Sequence, residues 1–394
     1  MDCDPYQPTV NVSLWIRTEE ARISMMAGYL PEPLRMMVTN PAISDFTSDG
    51  PLPYALRQKF TGWPPPPAAA DISLASQTVL VTGATSGVGL EAARQLAQLG
   101  PRLLILGARN LSKADEVKRQ LEQDTPHIAV QVAKLDLEDL SSVDRFVDGL
   151  HASAIHLDLA LLNAGFFAND DRMTPDGYSS LFQVNFLSTA YLAFRLLPLL
   201  QTTTTAPGAS PQGPRLVLVT SEAHAWTTFP VLPEPTENSL PILSSFRQKE
   251  SLGSADDQYY RAKLFLALIG KELSRRLTTM QMATSVVITT PGFCASNFFP
   301  DSVMTRLIQL ISARSIQQGG ALHVFAATAQ GPQMHGAYLR DGKPTRLSKF
   351  AEGPQGQILQ QRLWAEMEKF LAGRGHLLSS ILKPSSPHQS DGSV

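Results

Sequence analysis

Cysteine is nearly absent from this chain: Cys3 and Cys294 are the only two in 394 residues, and neither stands in a metal-ligand or redox spacing. That excludes a disulfide scaffold and a cysteine-based metal site, and it points to a reducing compartment. Long apolar runs are missing too. None approaches the roughly 18 residues that a membrane helix requires, and stretches such as Leu159-Ala160-Leu161-Leu162 have the length of a strand. The N-terminus carries Asp2, Asp4, Glu19 and Glu20 and shows no basic-then-apolar leader. Charge of one sign is also lacking, with 33 basic and 35 acidic residues for a formal net of -2, so nucleic acid finds no electrostatic footprint. The expectation is a cytoplasmic protein with no membrane span and no nucleic-acid partner.

What is there falls into zones. Residues 1–75 are rich in proline and polar residues and close on Pro64-Pro65-Pro66-Pro67-Ala68-Ala69-Ala70. Such a tract is a stiff spacer that cannot join a sheet interior, so a partly ordered extension is expected there. From residue 78 short apolar runs alternate with amphipathic stretches, the pattern of βαβ units. Strands are expected at 78–82, 102–106, 129–133, 158–162, 215–220, 284–289 and 336–340. Helices are expected at 89–99, 139–150, 175–200, 256–277, 316–328 and 354–371, the first ending at Gly100 as a left-handed cap requires. Seven strands predict an α/β, doubly wound, seven-stranded parallel sheet over residues 76–375, followed by a flexible tail at 376–394. Residues 201–214 read as a surface loop, and 222–258 as a long excursion between a strand and a helix.

Two motifs carry chemistry. The turn Thr82-Gly83-Ala84-Thr85-Ser86-Gly87-Val88-Gly89 follows an expected strand and opens an expected helix. Glycines there allow a sharp turn and a close backbone approach to a pyrophosphate, while the helix N-terminus supplies partial positive charge. A glycine turn without a phosphate role is the competing reading. About twenty residues beyond the last glycine a dinucleotide site holds either an acid for a ribose 2′-hydroxyl or an arginine for a 2′-phosphate. This chain has Ala108 and Arg109 there, which favours NADP(H) over NAD(H), unless Arg109 is an ordinary surface residue. Downstream lies Tyr259-Tyr260-Arg261-Ala262-Lys263. Residues four apart share a helix face, so Lys263 can stand beside Tyr259, favour its phenolate and lower a pKa of about 10. Tyr260 is out of register and reads as a packing residue.

In this order the pieces resemble the short-chain dehydrogenase/reductase family over residues 76–340: TGATSGVG at 82–89, Asp136-Leu137, Asn163-Ala164-Gly165, Asn185, Ser221, the YYRAK pentapeptide and Pro291-Gly292. The resemblance implies a Rossmann fold and a site assigned position by position. Tyr259 would be the general acid, Ser221 would bond the substrate carbonyl, and Lys263 would bind the nicotinamide ribose and depress the tyrosine pKa. Asn185 would hold a relay water, with a core amide as its other reading; Thr220 offers a rival hydroxyl to Ser221. The cofactor would lie on Gly83, Thr85, Ser86, Gly87, Val88 and Gly89, with Arg109, with Asp136 and Leu137 at the adenine, and with Asn163, Ala164 and Gly165. Pro291, Gly292 and Ser296 would meet the carboxamide.

Within the family the likeness is to retinol-dehydrogenase-like reductases, including fungal members of secondary-metabolite pathways. It is carried by Gly89-Leu90-Glu91-Ala92-Ala93-Arg94, Ala108-Arg109-Asn110 and His335-Gly336-Ala337-Tyr338-Leu339. It implies an NADP(H)-dependent ketone or aldehyde reductase, or the reverse, and association into dimers or tetramers through the long helices. A catalytically silent cofactor-binding sensor or a non-redox isomerase or dehydratase are the rival functions. The excursion's Trp226, Phe229, Leu232, Leu240, Ile242, Leu243 and Phe246, with Phe293, Phe298 and Phe299, suggest a hydrophobic small-molecule substrate or, equally, loop packing. His224 and Cys294 read as structural, and no metal is expected.

Overall fold

The runs TVLVT, LALL and RLVLV are apolar at nearly every position, and a strand apolar on both faces must be covered on both faces. A computed structural model, which describes residues 72–169, 172–200, 213–227, 241–295 and 313–382, has this arrangement. One sheet contains β1 Thr78–Thr82, β2 Leu103–Ala108, β3 Ala129–Lys134, β4 Leu159–Leu162, β5 Arg215–Val219, β6 Ser285–Thr289, β7 Tyr338–Arg340 and β8 Lys343–Thr345. Their order is β3-β2-β1-β4-β5-β6-β7-β8, and all neighbours up to β7 pair in parallel. The seven expected strands are present. The eighth corrects the purely parallel expectation, because β8 returns antiparallel to β7. Asp341 and Gly342 make that hairpin at φ 54 and 70, the left-handed pair that matches strand twist.

Among the described residues seven longer helices follow one another: α1 Gly87–Gln98, α2 Leu111–Asp124, α3 Leu140–Ala152, a composite α4, α5 Ala255–Thr279, α6 Ile316–Thr328 and α7 Pro354–Gly373. The composite runs through Ser180–Phe182, a π turn Gln183–Leu187, and Ser188–Leu196. Side chains start most of them. Asn110 accepts from Lys113 N, Asp139 from Ser141 N, Ser254 from Asp257 N, and Ser315 closes a reciprocal capping box with Gln318. Helix α1 differs, since Ser86 at its N-cap makes no side-chain capping bond.

Two cores result. On one face α1, α2 and α6 pack through Ala93, Leu96, Val117, Leu121 and Val324; on the other α3, α4, α5 and α7 pack through Phe146, Phe186, Phe265 and Trp364. Helix α7 lies over α4 and α5: Trp364 meets Phe194 at 5.3 Å and Phe370 meets Tyr191 at 5.6 Å. Gln360 also donates to Glu272, and the Arg276 guanidinium sits 4.3 Å from the Trp364 ring centroid. Of the long helices through which association is expected, α4 and α5 are thus partly covered by α7. Residues 1–71 of the expected extension, most of the 201–214 loop and the tail from 383 lie outside the described residues, as do Phe229, Leu232, Leu240, Ser296, Phe298 and Phe299.

Candidate active site

Because β1, β4, β5 and β6 run parallel, the residues that follow them emerge along one edge of the sheet, beside the β1/β4 reversal where doubly wound folds bind ligands. Gly83 follows β1, Asn163 follows β4, Ser221 follows β5 and Pro291 follows β6. Gly83 and Gly87 have φ +69 and +57, which side-chain-bearing residues rarely adopt. A Cβ on Gly89 would lie 2.2 Å from Asn163 Nδ2 and 2.4 Å from the Gly83 carbonyl oxygen. Asn163 Nδ2 in turn donates to Thr82 O at 3.1 Å, and Ala164 N to Thr82 Oγ1 at 3.1 Å. Asn163 therefore packs directly against the glycine turn. A turn kept clear of side chains at Gly83, Gly87 and Gly89 thus meets a helix start with no acid in its first turn and no side-chain capping bond. Such a surface fits the pyrophosphate of a dinucleotide.

Tyr259 is buried at the N-terminal end of α5, hydrogen-bonded to Ser221 and set edge-on to Phe167 with ring centroids 5.8 Å apart. Lys263 lies one turn on, its Nζ 5.6 Å from the Tyr259 ring centroid and donating to Val219 O at 3.2 Å. Thr220 is occupied elsewhere, donating to Lys263 O at 2.7 Å, so Ser221 is the hydroxyl that meets the phenol. Ser221 Oγ also accepts from Ala223 N, while His224 Nδ1 lies 2.7 Å from Ser221 O and its Nε2 accepts from Ser348 N. Burial pushes the His224 imidazole down to about 4, so it is neutral and fixes the serine's carbonyl. Burial also dominates the phenol, and it overturns one expectation. Tyr259 is pushed well above the ordinary tyrosine range, a direction that the Ser221 bond opposes and the nearby Glu222 charge reinforces. The Lys263 ammonium, itself lowered by burial to about 8, does not reverse it.

Asn185 sits in the π turn, a distortion frequent at functional sites. Its amide donates to Phe166 O at 2.8 Å and Leu181 O at 2.9 Å, and its oxygen accepts from Phe166 N. A Cβ on Gly165 would fall 2.7 Å from Asn185 Oδ1 and 3.3 Å from Lys263 Nζ, so this glycine lets the two meet the strand end. Asp136 accepts from Glu138 N, and Leu137 is buried with its carbonyl accepting from Gln183. Arg109 is exposed and pairs with Glu138 at 3.4 Å; Arg172 pairs with the same carboxylate at 2.7 Å. An acid does therefore reach Arg109, supplied from beyond β3, although Lys134, donating to Arg109 O, keeps cations in excess there. Thr85, Ser86 and Val88 complete the turn, with Val88 packed on the Gly319 backbone at the start of α6.

A family model described as short chain dehydrogenase matches residues 77–225, which hold the cradle, Asn163 and Ser221. The short chain dehydrogenase rstn4 of Aspergillus nomiae is 96% identical over 369 residues, covering 94% of this chain and 100% of its own. The chain belongs to the short-chain dehydrogenase family. This dehydrogenase is also 76% identical over 354 residues to resG of Aspergillus sclerotiorum, covering 89% and 98% of the two chains. Among solved structures, an uncharacterized protein from Mycobacterium paratuberculosis matches with TM-score 0.57 and 28% identity, over 83% of this chain and 100% of that one. The dehydrogenase is accordingly an oxidoreductase of a fold that binds a nicotinamide cofactor. Among its described residues no helix is long and apolar enough to cross a membrane.

Phe167 and Glu222 of the dehydrogenase lie beside Tyr259, and Thr290 and Arg314 contact the turn after β6; the motifs single out none of the four. An acid directly after the strand-end serine was the one legible sign among them. Leu243 and Phe246 belong to the core, Phe246 stacking on Phe182 at 3.8 Å, whereas Trp226 stands edge-on to Tyr260 at 5.4 Å near the phenol. Cys294 is buried and its thiol is pushed up to about 12, in keeping with a structural role. Burial of Lys263 makes a testable cost. Its pKa falls from 10.5 to about 8, equivalent to about 3 kcal/mol. Below the folded value both states carry the proton and the folded chain bears the full penalty. Between the two values the unfolded chain binds more protons, so stability rises with pH. Lys263→Met is expected to melt several degrees higher than wild type near neutral pH, with the gap closing by about pH 10. A variant that melts lower at neutral pH would show that the bond to Val219 O outweighs the burial.

Proposed function

We propose that this short-chain dehydrogenase uses NADP(H) to reduce a ketone or aldehyde of a hydrophobic small molecule to an alcohol in the cytoplasm. A secondary-metabolite intermediate handled by a retinol-dehydrogenase-like member of the family fits this reading. The observation that carries it is the buried Tyr259 hydroxyl bonded to Ser221, with Lys263 one turn away beside the glycine cradle. Gly83, Thr85, Ser86, Gly87, Val88 and Gly89 would hold the pyrophosphate, and Asp136 with Leu137 the adenine. Asn163, Ala164 and Gly165 back the cradle, while Pro291 and Gly292 would face the carboxamide; Ser296, expected beside them, lies outside the described residues. A bound nicotinamide supplies the hydride. Ser221 donates to the carbonyl oxygen and Tyr259 delivers the proton to it as charge develops. Lys263 would anchor the ribose, and Asn185, bonded to the Phe166 backbone, would hold a relay water. Burial favours the protonated phenol, and a protonated phenol serves reduction.

Purified protein mixed with NADPH and a panel of hydrophobic ketones should consume the reduced nicotinamide and yield alcohols. Tight NADPH binding with no turnover on any carbonyl would favour a silent sensor, and product formation without cofactor consumption a non-redox activity. Arg109 carries the cofactor preference. Arg109→Asp removes a phosphate partner beside a carboxylate already present, and should weaken NADPH by about 10- to 100-fold while leaving NADH nearly unchanged. Titrations in which both cofactors weaken equally would remove the 2′-phosphate assignment.

A further inference from the structure

Glu222 has no part in the chemistry above, yet it is a carboxylate 4% exposed, directly after Ser221 and close enough to Tyr259 to act on it electrostatically. A buried charge is costly unless it is hydrogen-bonded, so its partners show what it is for. Its Oε2 accepts from Thr290 Oγ1 at 2.6 Å. The same hydroxyl accepts from Gly292 N at 3.2 Å. Thr290, 1% exposed, is the residue before Pro291, and Gly292 follows at φ +75. One hydroxyl thereby joins an acid on the serine segment to a backbone N–H inside the turn after β6. From the other side, Arg314 donates to Pro291 O at 3.5 Å and pairs with Asp341 at 2.5 Å. The turn is held between the two.

We propose that Glu222 and Thr290 are positioning residues that lock the Ser221 segment to the Pro291-Gly292 turn, so that the proton-handling and nicotinamide-facing walls move as one body. This rests on the dinucleotide reading above. A small change in alignment between these walls is expensive, since misplacement by an ångström can slow a reaction about a hundredfold. The backbone alone supplies one link nearby, Thr220 N to Thr289 O at 2.8 Å, which ends where the turn begins. Beyond it the Thr290 hydroxyl connects the two segments.

The test compares the full-length wild type with Thr290→Ser, Thr290→Val, Glu222→Gln and Glu222→Ala. Fluorescence titration gives the NADPH dissociation constant, and steady-state rates on a ketone turned over by wild type give kcat and KM. Thr290→Val and Glu222→Ala are expected to weaken NADPH about tenfold and to lower kcat at saturating cofactor by a similar factor. The ketone KM should move less. Thr290→Ser keeps donor and acceptor, and Glu222→Gln keeps the acceptor, so both should stay within about threefold of wild type. A folded Thr290→Val with wild-type affinity and kcat would overturn the proposal, as would a Thr290→Ser no better than Thr290→Val, which would mean that methyl packing matters and the hydroxyl does not. If Glu222→Ala fails to fold, the threonine pair decides. Failure of wild type to bind NADPH or NADH would sink the cofactor reading and this tie together; normal binding and turnover by both wild type and Thr290→Val sinks the tie alone.

Discussion

Tyr259→Phe should leave a stable protein that binds NADPH as wild type does and reduces carbonyls about 10²- to 10⁴-fold more slowly. The substitution removes one oxygen. The ring keeps its edge-on contact with Phe167 and its place one turn from Lys263, so packing and the cofactor cradle are undisturbed. What disappears is the hydroxyl beside Ser221, which is the proton donor in the proposed reaction. The affected quantity is therefore kcat, with a smaller effect on the ketone KM, because a proton needed only as charge develops contributes little to ground-state binding. Stopped assays with saturating NADPH, paired with cofactor titration and melting curves, separate these outcomes. Turnover retained within about tenfold would assign the proton to another group.

Gly89→Ala should abolish measurable dinucleotide binding, with a loss of at least about a hundredfold, and lower the melting temperature as well. Its methyl would sit inside contact distance of both the Asn163 amide and the Gly83 carbonyl, so the turn, Asn163 or α1 must shift. Any of these moves carries Asn163 away from Thr82 O and reshapes the surface meant for the pyrophosphate. Gly100→Ala is the control. Its Cβ would meet nothing within 4 Å, and only its φ of +68 opposes the change. That strain costs about 1–2 kcal/mol and lies at the far end of α1, so stability should fall while cofactor affinity holds. Equal affinities for both variants would mean that the cradle does not set binding.

Much of this was readable before any coordinates because the informative signals are local. Apolar runs ended by glycine at Gly83 and Gly100 locate a strand, a turn and a helix, and the four-residue spacing from Tyr259 to Lys263 fixes a shared helix face. The unread features depend on long-range contact. Three-residue β8 has too little pattern to announce itself beyond its Asp341-Gly342 turn, and α2 was not singled out, its mostly charged surface giving a faint apolar stripe at Ala114, Val117 and Leu121. The π turn at Gln183–Leu187 leaves no mark in residue order. Glu138 reaches Arg109 across 29 positions and Glu222 meets Thr290 across 68, distances at which spacing has no meaning. The Tyr259 pKa failed for a related reason. Sequence showed the neighbouring ammonium but not the burial, and burial is the larger effect.

The most direct measurement follows an isotope through one turnover with NADPH deuterated on the reactive face of the nicotinamide and a hydrophobic ketone. Mass spectrometry of the alcohol should find one deuterium on the carbinol carbon from wild type and only a trace of alcohol from Tyr259→Phe. Alcohol formed without label on that carbon, or labelled alcohol formed equally fast by the phenylalanine variant, would contradict the account.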